Sequence, residues 1–299
     1  MLTSVQDLGR WGLQARGVPV AGPMDEYSHR LSNRLVGNPS TAAALEITLI
    51  GPEIRATNDL LCAVAGATFP LAADGHPVAM NAPFLLRAGA SLRFGSRERG
   101  ARASVAFRGG LDTDPIFGSR ATSLIARMGP FDGRPLRAGD VLSVGDAPSE
   151  HRHQGTHLGF AIPAGGARVR VVTGPHVEMF TPAAYETLFR ERYTITPQSN
   201  RMGYRLEGAR LAHRDRADIL SDATAIGSIQ VPGSGQPILL MADRQTTGGY
   251  PKIATVISAD LPLAGQLAPG DWIAFKPCTR DEAHAAARER FGPFYGSHR

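Results

Sequence analysis

Asp243 to Lys252 reads D-R-Q-T-T-G-G-Y-P-K, a ten-residue stretch that sets many chemically able groups side by side. The Arg244 guanidinium can grip a carboxylate with two parallel hydrogen bonds. The Gln245 amide presents both a donor and an acceptor, the pair needed to recognise a planar amide. Asp243 suits either proton transfer or the holding of a neighbouring side chain. Thr246, Thr247 and Tyr250 add hydroxyls, and Lys252 adds a second cation. The Gly248-Gly249 pair allows positive φ and a close approach of ligand to backbone. The same ten residues read equally as a hairpin turn, for which Gly-Gly is a good signal.

A site needs rigid elements to aim it, and the flanks supply candidates. Pro237 to Ala242 and Ile253 to Ile257 are short apolar runs of the type that forms buried strands. Elsewhere Gly (34) and Pro (22) interrupt short apolar or alternating runs, which predicts many short strands with tight turns. The fold class expected is therefore mostly β, with a few short helices. Helices are expected at Met24 to Val36, at Thr181 to Arg192 with Thr181 as N-cap, and at Thr279 to Phe291 with a Thr279/Glu282 capping box. A phrase recurs at Leu86, Leu136 and Leu267, each time with a Gly three residues on and a strand to follow. It predicts similar turns built more than once. The polar, turn-rich stretch from Asp146 to Gly166 is the expected linker, splitting the chain into subdomains 1–150 and 151–299.

Other polar groups stand out against their surroundings. Gln6, Asp7 and Arg10 lie close to Asp25 in sequence, and they read either as a carboxylate clamp or as a surface ion pair. Glu46 sits in the apolar run A-L-E-I-T-L, where alternation places it on the face opposite Leu45 and Ile47. It is therefore either solvent-facing or functional. Ser199, Asn200, Arg201 and Tyr204 make a donor-rich turn, and Gln230 precedes the 243–252 loop. His176 follows a Gly-Pro turn and reads as a site donor or a structural turn residue. His151, His153 and His157 are close together but lack the carboxylate or Cys of a recognisable ligand spacing, so no metal is expected.

The composition narrows the class. A chain of 299 residues, 42% hydrophobic and 20% charged, has the balance of a soluble globular protein. No apolar run reaches the roughly 20 residues that span a bilayer, and no secretory signal is visible. Two cysteines make no disulfide framework, so a cytoplasmic location is expected. The net charge of +5 comes almost wholly from scattered Arg, which argues against nucleic acid as a partner. No Walker-type loop and no G-x-S-x-G elbow are present. That combination predicts a subunit that binds or orients a ligand and shares its chemistry with a partner.

Four long blocks then carry a resemblance along nearly the whole chain. They are residues 4–25 (S-V-Q-D-L-G-R-W-G…), 35–48 (L-V-G-N-P-S-T…), 199–208 (S-N-R-M-G-Y-R-L-E-G) and 226–262. The chain resembles the 5-oxoprolinase C-subunit group, also called allophanate hydrolase subunit 2 or the KipI-antagonist type. That group is related to the carboxyltransferase part of urea carboxylase. The resemblance implies two barrel-like, cyclophilin-like subdomains. It implies an ATP-dependent opening of 5-oxoproline to L-glutamate, with B-type (KipI-like) and A-type (LamB/YcsF-like) subunits as partners. Members of that group usually begin several residues earlier, so the resemblance leaves open either a start upstream of Met1 or the absence of the first strand. Alternatives on the same fold are the carboxyltransferase component of a biotin-dependent urea carboxylase, and a non-catalytic antagonist of a KipI-like protein. The substrate 5-oxoproline has a carboxylate and a lactam. Arg201 or Arg244 would meet the first, and Gln230, Gln245 and Asn200 the second. Asp243 and Asp260 are the candidates for acid–base work or for holding those side chains. Arg10, Asp25, Glu46, Thr246, Thr247, Gly248, Gly249, Tyr250 and Lys252 complete the expected site.

Overall fold

The computed structural model describes residues 2–146 and 160–294. The chain divides into two compact units, one of Met1–Trp11 with Ala21–Ile162 and one of Gly12–Val20 with Pro163–Arg299. The His151, His153 and His157 cluster and most of the expected linker lie outside the described residues.

The first unit is built from two sheets. One joins β1 (Leu2–Gln6), β2 (Ala44–Thr48), β9 (Arg99–Phe107), β4 (Leu60–Thr68) and β7 (Pro83–Leu86) in that order. The other joins β3 (Ile54–Arg55), β8 (Ser91–Phe94), β5 (Leu71–Ala73) and β6 (His76–Val78). Val5, Ile47, Val64 and Val105 from the first sheet share one apolar cluster with Leu71 and Leu92 from the second. The pair β10 (Leu111–Asp112) and β11 (Ser143–Val144) stands apart, as does α2 (Pro130–Gly133), a single turn whose Phe131 and Asp132 are left-handed.

The outer face of the five-stranded sheet is covered by α1 (Glu26–Leu35), and that seam is polar. Ser28, His29, Arg30, Ser32 and Asn33 are all buried beside the apolar Tyr27 and Leu31. Ser32 Oγ and Ser104 Oγ meet at 2.8 Å across it. Glu46 lies on this face and is buried, so it does not face solvent as alternation allowed. Burial pushes the His29 imidazole down to about 4, with Arg30 adding to the effect and Asp7 opposing it. The folded unit thus keeps His29 neutral where an unfolded chain takes up a proton. Stability is complete above the ordinary value of 6.5 and falls as pH drops toward 4. The loss is about 3 kcal/mol. Urea melts of wild type and His29→Gln across this range are expected to show the wild-type slope flattened in the variant.

The second unit is a closed barrel in the order β12 (Gly166–Thr173), β19 (Lys252–Val256), β16 (Ser228–Gln230), β17 (Ile238–Leu240), β14 (Gly203–Glu207), β13 (Arg192–Ile195) and β20 (Trp272–Pro277). Its seam is the parallel pairing of β12 with β20. Alternation is clean where one face is buried: Ala167, Val169 and Val171 point in from β12, and Tyr193 and Ile195 from β13. Three helices accompany the barrel: α3 (Pro182–Arg190), α4 (Leu261–Gly265) and α5 (Arg280–Phe291). Thr181 caps α3 by accepting from the Ala184 N–H, and Thr279 and Glu282 form the expected capping box on α5. Among the described residues, no helix is long and apolar enough to cross a membrane.

The recurring phrase marks one turn made three times. Gly89, Gly139 and Gly270 all have positive φ, of 84°, 92° and 92°. In each, the residue after the Gly (Ala90, Asp140, Asp271) donates to the carbonyl three back. A Cβ at these glycines would meet nothing within 4 Å, so the backbone angle alone demands Gly.

Candidate functional site

The 243–252 loop is not a hairpin between its flanking strands. β17 and β19 do not pair with each other; β16 lies between them and pairs with both. Both strands run antiparallel to β16, so the loop leaves β17 at the Gly227 end of β16 and returns along the barrel wall to enter β19 at the Gln230 end. It is fastened there by the excursion between β14 and β16, whose β15 (Asp222–Ala223) pairs with β18 (Thr247–Gly248). The main-chain bonds Thr224 N–H to Thr246 O and Ile219 N–H to Gly249 O extend this fastening, and Thr224 Oγ1 donates to Gln245 O.

A bulge between Ile229 and Gln230 turns Gln230 into register opposite Lys252. Bulges commonly re-aim a side chain in this way. Gln230 Nε2 donates to Tyr250 O, and Gln245 Nε2 donates to Gln230 Oε1, both at 3.3 Å. The two amides expected to act together are thus in contact. Gln245 Oε1 has no hydrogen-bond partner among the described residues, and so is open to accept from a ligand. Neither Gly248 nor Gly249 adopts positive φ, so the backbone freedom that the pair allows is not used. The reason for Gly at 248 is space: a Cβ there would lie 2.6 Å from Gln230 Nε2 and 3.2 Å from Gln245 Nε2.

The cations of the site differ in how they are balanced. Arg201 and Asp243 form a buried two-point ion pair, at 3.0 Å and 3.1 Å. Asp260 is gripped the same way by Arg170, at 2.9 Å and 2.7 Å, and also accepts from the Arg170 N–H at 2.8 Å. Carboxylates held at both oxygens are anchors, and a proton taken from a substrate would have to displace an arginine. Lys252, 3% exposed at its side chain, donates from Nζ to Asp222 Oδ2 at 2.6 Å and to Ala223 O at 2.8 Å. Arg244 is the exception. It is 6% exposed, its one side-chain hydrogen bond is from Nε to Thr224 O at 3.3 Å, and no acid faces it among the described residues. Burial alone pushes its guanidinium down to about 10.

The remaining expected residues sit as follows. Thr246, Thr247 and Tyr250 lie on the loop, with Tyr250 exposed. Asn200 is exposed, and its Oδ1 accepts from the Met202 N–H to close the 200–203 turn, away from the two glutamines. Tyr204 OH donates to Leu267 O inside the barrel. In the first unit, Asp25 caps α1 by accepting from Ser28 N–H, Glu46 accepts from the Met24 N–H at 2.6 Å, and Arg10 donates to Ile116 O and Ala121 O. Among the described residues no group of His, Cys, Asp and Glu is arranged to hold a metal.

Sequence reasoning did not single out Asp222 or Thr224. Both come from an irregular excursion, and only its pairing with the loop brings them to the site. A lysine bracketed by apolar strands was the available signal, because a buried ammonium requires an acid.

The family profile described as carboxyltransferase domain, subdomain A and B, matches residues 16–277. The chain is 36% identical to the 5-oxoprolinase C subunit of Escherichia coli, over 97% of this chain and 93% of that protein. It is 35% identical to the urea amidolyase of Lachancea kluyveri, over 92% of this chain and 16% of that protein. The crystal structure of Kluyveromyces lactis urea carboxylase superposes with a TM-score of 0.92 at 32% identity, covering 98% of this chain and 28% of that one. The chain therefore spans nearly the full length of the first relative and a minor part of the other two.

Proposed function

The chain belongs to the carboxyltransferase-domain family that includes the 5-oxoprolinase C subunit, and from that premise we propose that it is the C subunit of an ATP-dependent 5-oxoprolinase. It binds 5-oxoproline at the 243–252 loop while partner subunits of the B (KipI-like) and A (LamB/YcsF-like) types share the turnover that yields L-glutamate. The observation that carries this reading is Arg244, a buried cation with no acid facing it among the described residues. The other cations held at the loop are neutralised: Arg201 by Asp243 and Lys252 by Asp222. The site therefore holds one unbalanced positive charge, which suits a monoanion. A guanidinium for the carboxylate, with the open acceptor Gln245 Oε1 one residue on for the ring N–H, suits the two ends of 5-oxoproline.

Urea is neutral and leaves Arg244 unanswered, which sets the carboxyltransferase alternative second. Its biotin would have to be tethered elsewhere. Of the two lysines, Lys252 is buried in its ion pair and Lys276 lies within barrel strand β20. ATP likewise belongs with a partner, since this chain carries no Walker loop.

Reconstitution tests the proposal. Glutamate formation from 5-oxoproline and ATP, by this chain with its two partner types, is expected to vanish when this chain alone is omitted. Undiminished turnover on omission would defeat the reading.

A further inference from the structure

His176 ends the Gly174-Pro175-His176 turn after β12, and that turn is packed on the main chain where the loop enters β19. Gly174 N–H donates to Ile253 O at 2.9 Å, and a Cβ at Gly174 would fall 2.2 Å from Lys252 O. The Lys252 N–H then donates to His176 Nδ1 at 3.2 Å. A ring nitrogen that accepts carries no proton, so the neutral imidazole holds its proton on Nε2. Burial first, and the Lys252 charge second, push His176 below the ordinary imidazole value, against the opposing pull of Asp222 and Glu178. The ring is thus neutral at pH 7. It is half-buried, and its Nε2–H has no acceptor among the described residues.

Lys252 presents the same surplus. Its ammonium has three donors, of which Asp222 and Ala223 O occupy two, and the third has no acceptor among the described residues. The ring is bonded to the main chain of the same residue that carries the ammonium. Lys252 also faces Gln230 across the strand pair, on the side of the two amides.

We propose that His176 Nε2–H and the third N–H of Lys252 form a donor pair for the amide oxygen of the substrate, with Asp222 as the residue that positions Lys252. This rests on the reading of the loop as a site for an amide that also bears a carboxylate, the carboxylate going to Arg244. Donors fixed in place gain most when negative charge collects on the oxygen they face, and loss of one costs roughly 10²–10³ in kcat. The pair therefore acts on turnover more than on binding, while Arg244 acts on binding.

The first test is nitrogen chemical shifts of the full chain labelled at histidine, titrated with 5-oxoproline, with calorimetry alongside. His176 is assigned by the signal lost in His176→Gln. The expected result is an unprotonated Nδ1, a protonated Nε2, and an Nε2–H signal that moves as 5-oxoproline saturates. In the reconstituted complex, His176→Gln is expected to lower kcat roughly 10²-fold with little change in KM. Asp222→Ala should also lower kcat more than KM, with partial rescue in Asp222→Glu. If 5-oxoproline binds and the His176 ring does not move, or the proton sits on Nδ1, the donor pair is overturned while the proposed function stands. If 5-oxoproline does not bind, that substrate is wrong, and the titration is repeated with urea and with allophanate. Movement of the ring with either sustains the donor pair on another amide, and movement with neither overturns it.

Discussion

Arg244→Met is expected to abolish substrate binding while making the protein more stable. The two effects have one cause. The Arg244 side chain is buried with a single hydrogen bond, to Thr224 O, and no acid facing it among the described residues. Burial shifts the guanidinium from 12.5 to about 10. A shift of that size is a desolvation penalty on the order of 3 kcal/mol carried by the folded state. Methionine keeps an apolar stem in the same space and removes the charge, so the penalty disappears and little packing is lost. The melting temperature should rise, by roughly 2–4 °C for each kcal/mol regained. A substrate carboxylate loses the uncompensated cation it pairs with, which costs about 2–5 kcal/mol, or roughly 30- to 5,000-fold in affinity. Arg244→Lys should rescue poorly, because an ammonium cannot make the two parallel bonds of a guanidinium. Calorimetric titration with 5-oxoproline and a thermal melt on the same sample decide the matter. Unchanged affinity with a lowered melting temperature would make Arg244 a structural residue, and the charge argument for a monoanionic substrate would go with it.

The same contrast shows what the sequence could and could not disclose. Dense polar residues between two apolar runs marked the loop, and the barrel does bring Gln230, Gln245 and Lys252 together. Local chemistry also sufficed for the helix caps at Thr181 and Thr279, and for the three Gly turns, because each depends on residues within a few positions. What was illegible depends on partners distant in sequence. Alternation placed Glu46 opposite Leu45 and Ile47 correctly, yet it could not show that α1 covers that face. The Gly248-Gly249 pair signalled backbone freedom, whereas the structure uses Gly248 for the room it leaves the Gln230 amide. Arg201 and Arg244 looked equivalent as carboxylate binders, and only the pairing of Arg201 with Asp243 separates them.

That pairing yields the second large effect. Asp243→Asn is expected to destabilise the second unit by about 3–5 kcal/mol, because it removes the charge that grips the buried Arg201 guanidinium at two points. Loss of turnover in this variant would not by itself show that Asp243 handles protons, since a general base and an anchor both fail when removed. Stability separates them. If Asp243 is an anchor, most of the lost stability returns when the arginine is removed as well, in the double variant Arg201→Met/Asp243→Leu. Replacing a buried ion pair by apolar groups of similar volume is commonly neutral or stabilising, whereas breaking one half is not. The interaction energy from that double-mutant cycle should therefore reach several kcal/mol. A proton-transfer role predicts the opposite profile, in which Asp243→Asn melts near the wild-type temperature and kcat collapses. The geometry favours the anchor. Both carboxylate oxygens are engaged at 3.0 Å and 3.1 Å, and the Asp243 N–H donates to Arg201 O at 2.8 Å. These bonds tie the 200–203 turn to the first residue of the loop. Asp243 thereby fixes the chain immediately before Arg244, so the neutralised arginine serves to hold the unneutralised one in place.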